Sequence, residues 1–276
     1  MTKKPEKNKK ETNMIKIILI CIIILLVIIL IFLSQKNLKK FKQQKEFENS
    51  VISFAKNNET TIFSINKVVF FSSSDSKNKS SSKSNFTIEN LYTYTDIALF
   101  INNNSEENTI KNTLKKVKIS NIQYTQKPII GEPNLYYKSI NDFAKSKFDE
   151  NNLIQNELEF EITSEDKADL TKPILYNNCA NPITLSYINQ NVKTDYTITN
   201  TSNPITYDGT LLKKCGVTLN SIKTSISFDI EIESNNNEKF KTKIFLDIPY
   251  ENEEKSIYDG NLTVKKNTNF NFYRYE

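Results

Sequence analysis

The residue types that usually carry out chemistry are sparse in this 276-residue chain. The sequence has no His and no Trp, and it has only four Gly. Without His, the Ser-His-Asp and Cys-His mechanisms and most zinc and other transition-metal sites are excluded. With four scattered Gly, neither a dinucleotide-binding glycine fingerprint nor a phosphate-binding P-loop is present. We therefore expect a protein that has no cofactor and is not an enzyme.

Cys179 and Cys215 are the two cysteines outside the long apolar run near the start of the chain. In an oxidising compartment they could form a disulfide, which on the chain-entropy model contributes about 3–4 kcal/mol. The alternative is a pair of buried free thiols. A catalytic thiol would need a His partner, which the sequence lacks.

Clustered carboxylates form the one acid–base arrangement that needs no His. Two polar stretches contain such clusters: Glu165, Asp166 and Asp169, and Glu251, Glu253 and Glu254. Their spacing does not show that two carboxylates face one cleft, and neither stretch matches the loop of an EF-hand calcium site. We interpret both as solvated loop charge. A carboxylate-based hydrolase acting on wall glycan is the enzymatic alternative.

Tyrosine is the residue type best suited to an interaction face here, because its ring is apolar and its hydroxyl is polar. The chain has 13 Tyr and 17 Phe, and without Trp most of the Phe must build the core. The candidate interaction face consists of Tyr92, Tyr94, Tyr136, Tyr137, Tyr273 and Tyr275.

The positive charge of the chain is concentrated in its first 50 residues. These contain eleven Lys and four Glu, so the remaining 226 residues are slightly acidic although the whole chain carries +5. Arg274 is the only arginine, and the bidentate guanidinium forks that recognise phosphate and guanine are therefore missing. We expect no nucleic-acid partner.

Residues 14–33 are predicted to form a transmembrane helix that contacts the lipid bilayer. Ile17–Leu33 is apolar without a break and spans about 26 Å as a helix, which Met14 and Ile15 extend to about the 30 Å of a bilayer's hydrocarbon core. A cleaved signal peptide is disfavoured, because the run is long and lacks a small-residue cleavage site. A lipoprotein anchor on Cys21 is disfavoured because the residues before it are bulky.

The orientation of this helix is not settled by charge, because Lys residues flank both ends in nearly equal number. Residues 1–13 are predicted to be a basic cytoplasmic tail, since a short leader is easier to leave inside and long domains translocate largely regardless of charge. The large C-terminal module is then extracytoplasmic. Residues 34–57 keep a helical apolar stripe and are predicted to be a juxtamembrane helical stalk.

From about residue 60 the apolar period changes to two, which indicates β-strands. The strongest signal is Ile226, Phe228, Ile230 and Ile232 alternating with polar residues, followed by an Asn turn at 235–237 and a second alternating run. This pattern predicts an antiparallel hairpin with one wet face.

Three other segments are predicted less directly. Ser72–Ser84 is expected to be a polar low-complexity loop, and Ile140–Lys147 a short helix. Strands at Ile183–Asn189 and Val192–Thr199 are expected to be joined by a tight turn. Two Tyr-Asp-Gly segments, at 207–209 and 258–260, are interpreted as turns that share the same chemistry.

The fold class predicted is mainly β, with the transmembrane helix and helical stalk followed by antiparallel β-sandwich modules of the Ig-like kind. The module is divided into a β-rich domain at 58–168 and a β-sandwich domain at 169–276. A single larger sandwich is the alternative.

These features favour a single-pass membrane protein that displays a non-catalytic β-sandwich for binding or scaffolding at a bacterial cell envelope, with an unknown protein or envelope partner. The alternative is a bitopic subunit of an envelope-spanning secretion, conjugation or division complex. Exchange of the anchor for an unrelated apolar helix separates the two, because only the assembly subunit depends on specific helix contacts in the membrane.

Overall fold

The structure is a computed structural model that describes residues 19, 22, 62–79, 85–104, 113–167, 169, 173–176, 182–199 and 205–275. The chain divides into two compact units, Met1–Ala55 and Lys56–Glu276. The predicted tail, transmembrane helix and stalk lie outside the described residues, apart from Leu19 and Ile22, which are helical and about half exposed. Within the described part of the chain, no helix has the length and apolar character needed to cross a membrane.

The second unit, hereafter the β unit, is mainly β with few helices. Its described strands are β1 (Phe63–Ser76), β2 (Phe86–Ile88), β3 (Leu91–Asn103), β4 (Leu114–Gln126), β5 (Glu132–Tyr137), β6 (Glu157–Thr163), β7 (Ile174–Tyr176), β8 (Ile183–Lys193), β9 (Tyr196–Ile198), β10 (Ser225–Ser234), β11 (Lys239–Asp247), β12 (Leu262–Asn271) and β13 (Tyr273–Arg274). The described helices are α1 (Thr210–Lys214), α2 (Leu219–Ile222) and short 3₁₀ turns at Ile140–Asp142, Glu150–Asn152, Glu165–Lys167 and Ile257–Asp259.

Two large sheets organise these strands. Sheet I has the order β12-β1-β3-β8-β5, sheet II has the order β13-β11-β10-β4-β6-β7, and β2 pairs with β9 separately. Neighbouring strands run antiparallel except for β6 and β7, which are parallel. Both large sheets contain strands from either side of residue 168, as in the pairs β3–β8 and β4–β10. The predicted division after residue 168 is therefore not a division between sheets.

One hydrophobic core lies between the two sheets, because apolar side chains alternate along their strands. Phe63 of sheet I meets Phe240 of sheet II edge-on at 5.2 Å between ring centroids, and Tyr137 meets Phe160 at 5.8 Å. The predicted hairpin is confirmed: Ile226, Phe228, Ile230 and Ile232 of β10 are fully buried, and Ile232 pairs with Phe240 across the Asn turn.

The prediction of a loop from Ser72 is wrong for its first five residues. Strand β1 continues to Ser76, and residues 72–76 are at most 3% exposed. A polar strand end can be buried because the serine hydroxyls donate hydrogen bonds to backbone carbonyls of distant loops, which removes the cost of burying them unpaired.

Two further local predictions are wrong. The expected turn between Asn189 and Val192 is absent, since β8 runs through it with a bulge in which Asn191 has a left-handed φ of 54°. Asn tolerates this conformation in a bulge as well as in a turn, so the residue type did not separate the two. The expected helix over 140–147 is reduced to the 3₁₀ turn at Ile140–Asp142.

The strand register defines two opposite ends of the β unit. At one end, β1 begins and β12 finishes, with Ser64 paired to both Asn102 and Asn271. At the other end, Ser76 pairs with Leu91, which in turn pairs with Lys193. We call these the entry end and the far end, and the loops at 127–131, 205–223 and 248–261 lie at the far end.

Candidate functional site

The six predicted tyrosines separate into three places. Tyr92, Tyr94 and Tyr136 are buried in a small second cluster with Ile188, outside the main core. Tyr137, one residue along β5, points the other way into the main core, as strand alternation requires. Tyr273 lies on the edge strand β13 of sheet II and is partly exposed, and Tyr275 follows it. The structure brings three of the six together.

The second cluster lies on the outer face of sheet I under residues 139–153, which we call the strap. Phe148 of the strap meets Tyr92 edge-on at 5.5 Å between ring centroids and meets Tyr136 at a tilt at 5.4 Å. Burial raises the pKa of Tyr94 to about 12 and that of Tyr136 to about 12, so both phenols stay neutral. These rings pack against the strap and are not offered to solvent as an interaction face.

A buried charged cluster lies beside these rings. Asp96 of β3 is 0% exposed, and Lys138, which follows β5, is 3% exposed. The Lys138 Nζ is 2.9 Å from each Asp96 carboxylate oxygen. The Ser186 hydroxyl donates to Oδ1 at 2.7 Å, and the Ala144 backbone N–H of the strap donates to Oδ2 at 2.8 Å. The cluster therefore joins β3, β8, the end of β5 and the strap.

Burial opposes the charged forms of both partners in this cluster. Burial raises the pKa of the Asp96 carboxyl and lowers the pKa of the Lys138 amine, and in each case the other partner acts in the opposite direction. Because both groups are sealed from solvent, they cannot contact an external substrate in this conformation. The arrangement is a closed one, not an open active site.

Sequence reasoning missed Asp96, Lys138 and Ser186. A signal for Asp96 was present, because it occupies the same face of a long apolar strand as Tyr92 and Tyr94, where an acidic residue needs a partner. The partner itself could not be identified, since Lys138 is 42 positions away and separated from β3 in the sheet by β8.

At the far end, the buried serines of β1 hold the loops in place. The hydroxyls of Ser72, Ser73 and Ser74 donate to the carbonyls of Pro249, Gly260 and Asp208 at 2.9, 2.8 and 2.6 Å respectively. Each of these carbonyls belongs to a loop that lacks a strand partner at that position. The polar end of β1 therefore fixes the positions of the far-end loops.

The two Tyr-Asp-Gly segments meet at the polar end of β1. The Gly209 N–H donates to the Gly260 carbonyl at 2.6 Å. A β-carbon on Gly209 would lie 1.9 Å from the Ile257 carbonyl oxygen, so only glycine permits this approach. Asp208 accepts from the backbone N–H of Thr210 at 2.9 Å and so begins helix α1. The two segments do not share one turn conformation, because Gly209 has a helical φ of −59° and only Gly260 has a positive φ, of 109°.

An open groove of about 630 Å³ lies between the loops at 127–131 and 205–223 and the end of β8. Its lining comprises Ile130, Gly131, Asn191, Val192, Lys193, Thr194, Gly216, Val217, Thr218 and Ser221. Beside it, the Ile129 side chain is 80% exposed at the tip of a loop that is held by hydrogen bonds from the N–H groups of Ile129 and Ile130 to the Ser221 carbonyl. A large apolar side chain on a fixed loop next to a mixed polar groove suits recognition of a partner surface.

Cys215 caps helix α1 close to this groove and is buried. Burial raises the pKa of its thiol to about 11, although Lys193 and Lys214 act in the opposite direction. Cys179 lies outside the described residues, so the disulfide stays a prediction. Among the described residues, no three His, Cys, Asp or Glu side chains are grouped in a way that could hold a metal ion.

The outer face of sheet II carries columns of alternating charge. Along one column Lys241, Glu231, Lys118 and Glu159 follow one another across β11, β10, β4 and β6. Lys241 lies 3.0 Å from Glu231, and neighbouring columns are joined diagonally by pairs such as Lys118–Glu157 at 2.6 Å. We call this surface the charge ladder. Its nearly balanced charge indicates a solvated face that fixes strand register.

Comparison of the chain with protein-family models, curated proteins and solved structures finds no match.

Proposed function

We propose that the chain is a single-pass membrane-anchored envelope protein that displays a non-catalytic β-sandwich, packed in the Ig-like manner, for binding or scaffolding. The apolar run at 14–33 supports the anchor, because its length matches the hydrocarbon core of a bilayer. Two antiparallel sheets that share one core support the sandwich. The residue types missing from the sequence support a role in binding over one in catalysis.

The observation that carries the proposal is the position of the groove and Ile129 at the far end. The β unit is entered at the opposite end, where β1 begins at Phe63. A module held through its entry end presents the far end most freely to a partner. The loops there are fixed by buried serines and by paired glycine turns, so little ordering is required on binding.

In this proposal residues 1–13 lie in the cytoplasm and the β unit lies on the extracytoplasmic side. The basic leader supports this orientation, since a short Lys-rich segment is retained inside more readily than a large folded module. The partner is then a protein or another envelope component at the outer membrane surface or the cell wall.

Site-specific photocrosslinking in intact cells tests the far-end surface. A photoreactive phenylalanine analogue replaces Ile129 in the full chain, and the matched control replaces Phe245, which is also partly exposed but lies on the outer face of sheet II. We expect a discrete adduct at position 129 that weakens when Lys193→Glu alters the groove, and no adduct at position 245. No adduct at 129, or equal adducts at both positions, would contradict binding through the far end.

A further inference from the structure

Asp96 and Lys138 differ from a surface ion pair because both groups are buried and held in contact. The amine nitrogen is 2.9 Å from both oxygens of the carboxyl group, so it lies within reach of the carboxyl carbon between them. Both side chains are removed from water. Asp96 is held by hydrogen bonds from Ser186 of β8 and Ala144 of the strap, and Lys138 is held by a hydrogen bond to the Lys145 carbonyl of the strap. We propose that Lys138 Nζ and Asp96 Cγ condense to an intramolecular amide, an isopeptide bond that links β3 to the end of β5.

The reaction balances without any added reagent. The lone pair of the neutral amine attacks Cγ of the neutral carboxylic acid, and a C–N bond forms in a tetrahedral intermediate. The C–OH bond then breaks, and a proton from the nitrogen leaves with the hydroxyl as one water molecule. Acid and amine become amide and water, so nothing is oxidised or reduced. A reaction between two groups that the fold holds in contact gains a large advantage, because the groups do not have to meet by diffusion.

The neighbouring groups are placed to assist each stage. The Ala144 N–H, at 2.8 Å from Oδ2, is a donor to the oxygen that becomes negative in the intermediate. The Ser186 hydroxyl, at 2.7 Å from Oδ1, can carry a proton to the departing oxygen. The Lys145 carbonyl accepts a hydrogen bond from Nζ and orients its lone pair.

The strap backbone shows strain at this point. Ala144 has a φ of 63°, in the left-handed region that a residue with a β-carbon rarely adopts. This conformation allows its N–H to reach Asp96. Backbone strain of this kind is retained where the surroundings enforce it and where geometry matters.

The environment also favours the protonation states that the reaction needs. In a low-dielectric site, moving one proton from the ammonium to the carboxylate converts an ion pair into a neutral pair with no change in net charge. Burial shifts the pKa values of Asp96 and Lys138 toward each other, which makes this transfer easier. The Tyr94 ring lies 5.2 Å from Nζ, and Phe148 covers the neighbouring Tyr92, so bulk water is kept from the amide that forms.

Mass spectrometry of the denatured full chain tests the bond directly. We expect the wild-type protein to be lighter than its sequence by the mass of one water, and its protease digest to contain a branched peptide that joins the Asp96 and Lys138 segments. The Asp96→Ala and Lys138→Arg variants should have their full sequence mass. This readout does not require the variants to fold.

The Asp75–Lys79 pair is a matched control in the same digest. Its Nζ–Oδ2 distance is 2.7 Å and Asp75 is buried, but the Lys79 side chain is 54% exposed to solvent. We expect both of its peptides to be unlinked. A wild-type digest in which the Asp96 and Lys138 peptides are also recovered unlinked at full mass would overturn the proposal, and the pair would then be a buried ion pair only.

Discussion

At the scale of single residues, the serines of β1 show how polar side chains can support a core. Ser74 is fully buried, and its hydroxyl satisfies the Asp208 carbonyl in a loop 134 positions away. An unpaired buried carbonyl costs free energy comparable to a lost hydrogen bond. These hydroxyls therefore replace the strand neighbour that the far-end loops lack.

We expect Ser74→Ala to lower the free energy of unfolding by about 1 kcal/mol, because it removes a buried hydrogen bond and leaves the Asp208 carbonyl with the Leu211 N–H as its donor. Thr263→Ala on β12 is the control, since it removes an exposed strand hydroxyl. Urea unfolding of the two variants beside wild type measures the difference. Equal stabilities for the two variants would show that the far-end loops do not depend on this hydrogen bond.

The Cys215 thiol provides a second test at this scale. Because burial raises its pKa to about 11, little thiolate is present at pH 8, and alkylation of the folded protein is expected to be slow. In urea the same thiol should react fast. If Cys215 in a non-reduced sample stays unlabelled in urea until a reductant is added, it is in a disulfide, and a Cys21→Ser variant that behaves in the same way would leave Cys179 as its partner within the chain.

At the scale of elements, the charge ladder stabilises the strand register of sheet II through cross-strand pairs of opposite charge. Glu231→Lys would place a positive side chain between Lys118 and Lys241, and we expect a loss of about 1–2 kcal/mol in the free energy of unfolding. Glu253→Lys in an exposed loop is the control. The difference should shrink in high salt, because surface charges are screened. A loss of stability that is independent of salt would assign the effect to packing.

The contribution of the charge ladder to the free energy of unfolding also depends on pH. A hydrogen bond from Lys115 holds the pKa of Glu233 below its ordinary value. An acid with a depressed folded pKa stabilises the protein above its unfolded pKa, and this contribution is lost as the pH falls through the folded value. The salt-dependent part of the stability should therefore decrease on acidification below the ordinary Glu range.

The strap is the element that closes the outer face of sheet I. Phe148→Ala removes a ring that contacts both Tyr92 and Tyr136. We expect a loss of about 2–3 kcal/mol in the free energy of unfolding, below the cost for a fully buried Phe because this ring is only half-buried. Amide hydrogen exchange should become faster in residues 139–153 before the rest of sheet I changes. Unchanged exchange there would show that Phe148 does not hold the strap.

How far the sequence predicted these elements depended on whether the signal was local. The β10–β11 hairpin was predicted correctly, because alternation and an Asn turn lie within one short segment. The pairing of β3 with β8 was not predicted, since no local pattern records which distant strand lies alongside. The buried serines were not predicted, because a run of Ser is typical of a polar loop. Their burial depends on carbonyl groups of residues 208, 249 and 260, which only the folded chain brings to the end of β1.

At the scale of the whole molecule, we predict on which side of the membrane the β unit lies. We expect protease added to intact, wall-stripped cells to digest the β unit of the full chain while a tag at residue 1 stays protected, because the short Lys-rich leader is the part retained inside. A cytoplasmic marker controls for lysis. Protection of the β unit until the cells are lysed would place it in the cytoplasm and make the disulfide improbable.

The route of β1 through sheet I also determines how the β unit bears mechanical load. Tension that enters at Phe63 and is resisted by a partner at the far end acts along β1, which is hydrogen-bonded to β12 on one side and to β3 on the other. Antiparallel ladder bonds lie perpendicular to the strands. Such a pull shears both ladders at once instead of opening them one bond at a time, so the β unit is arranged to resist force between its entry end and its far end.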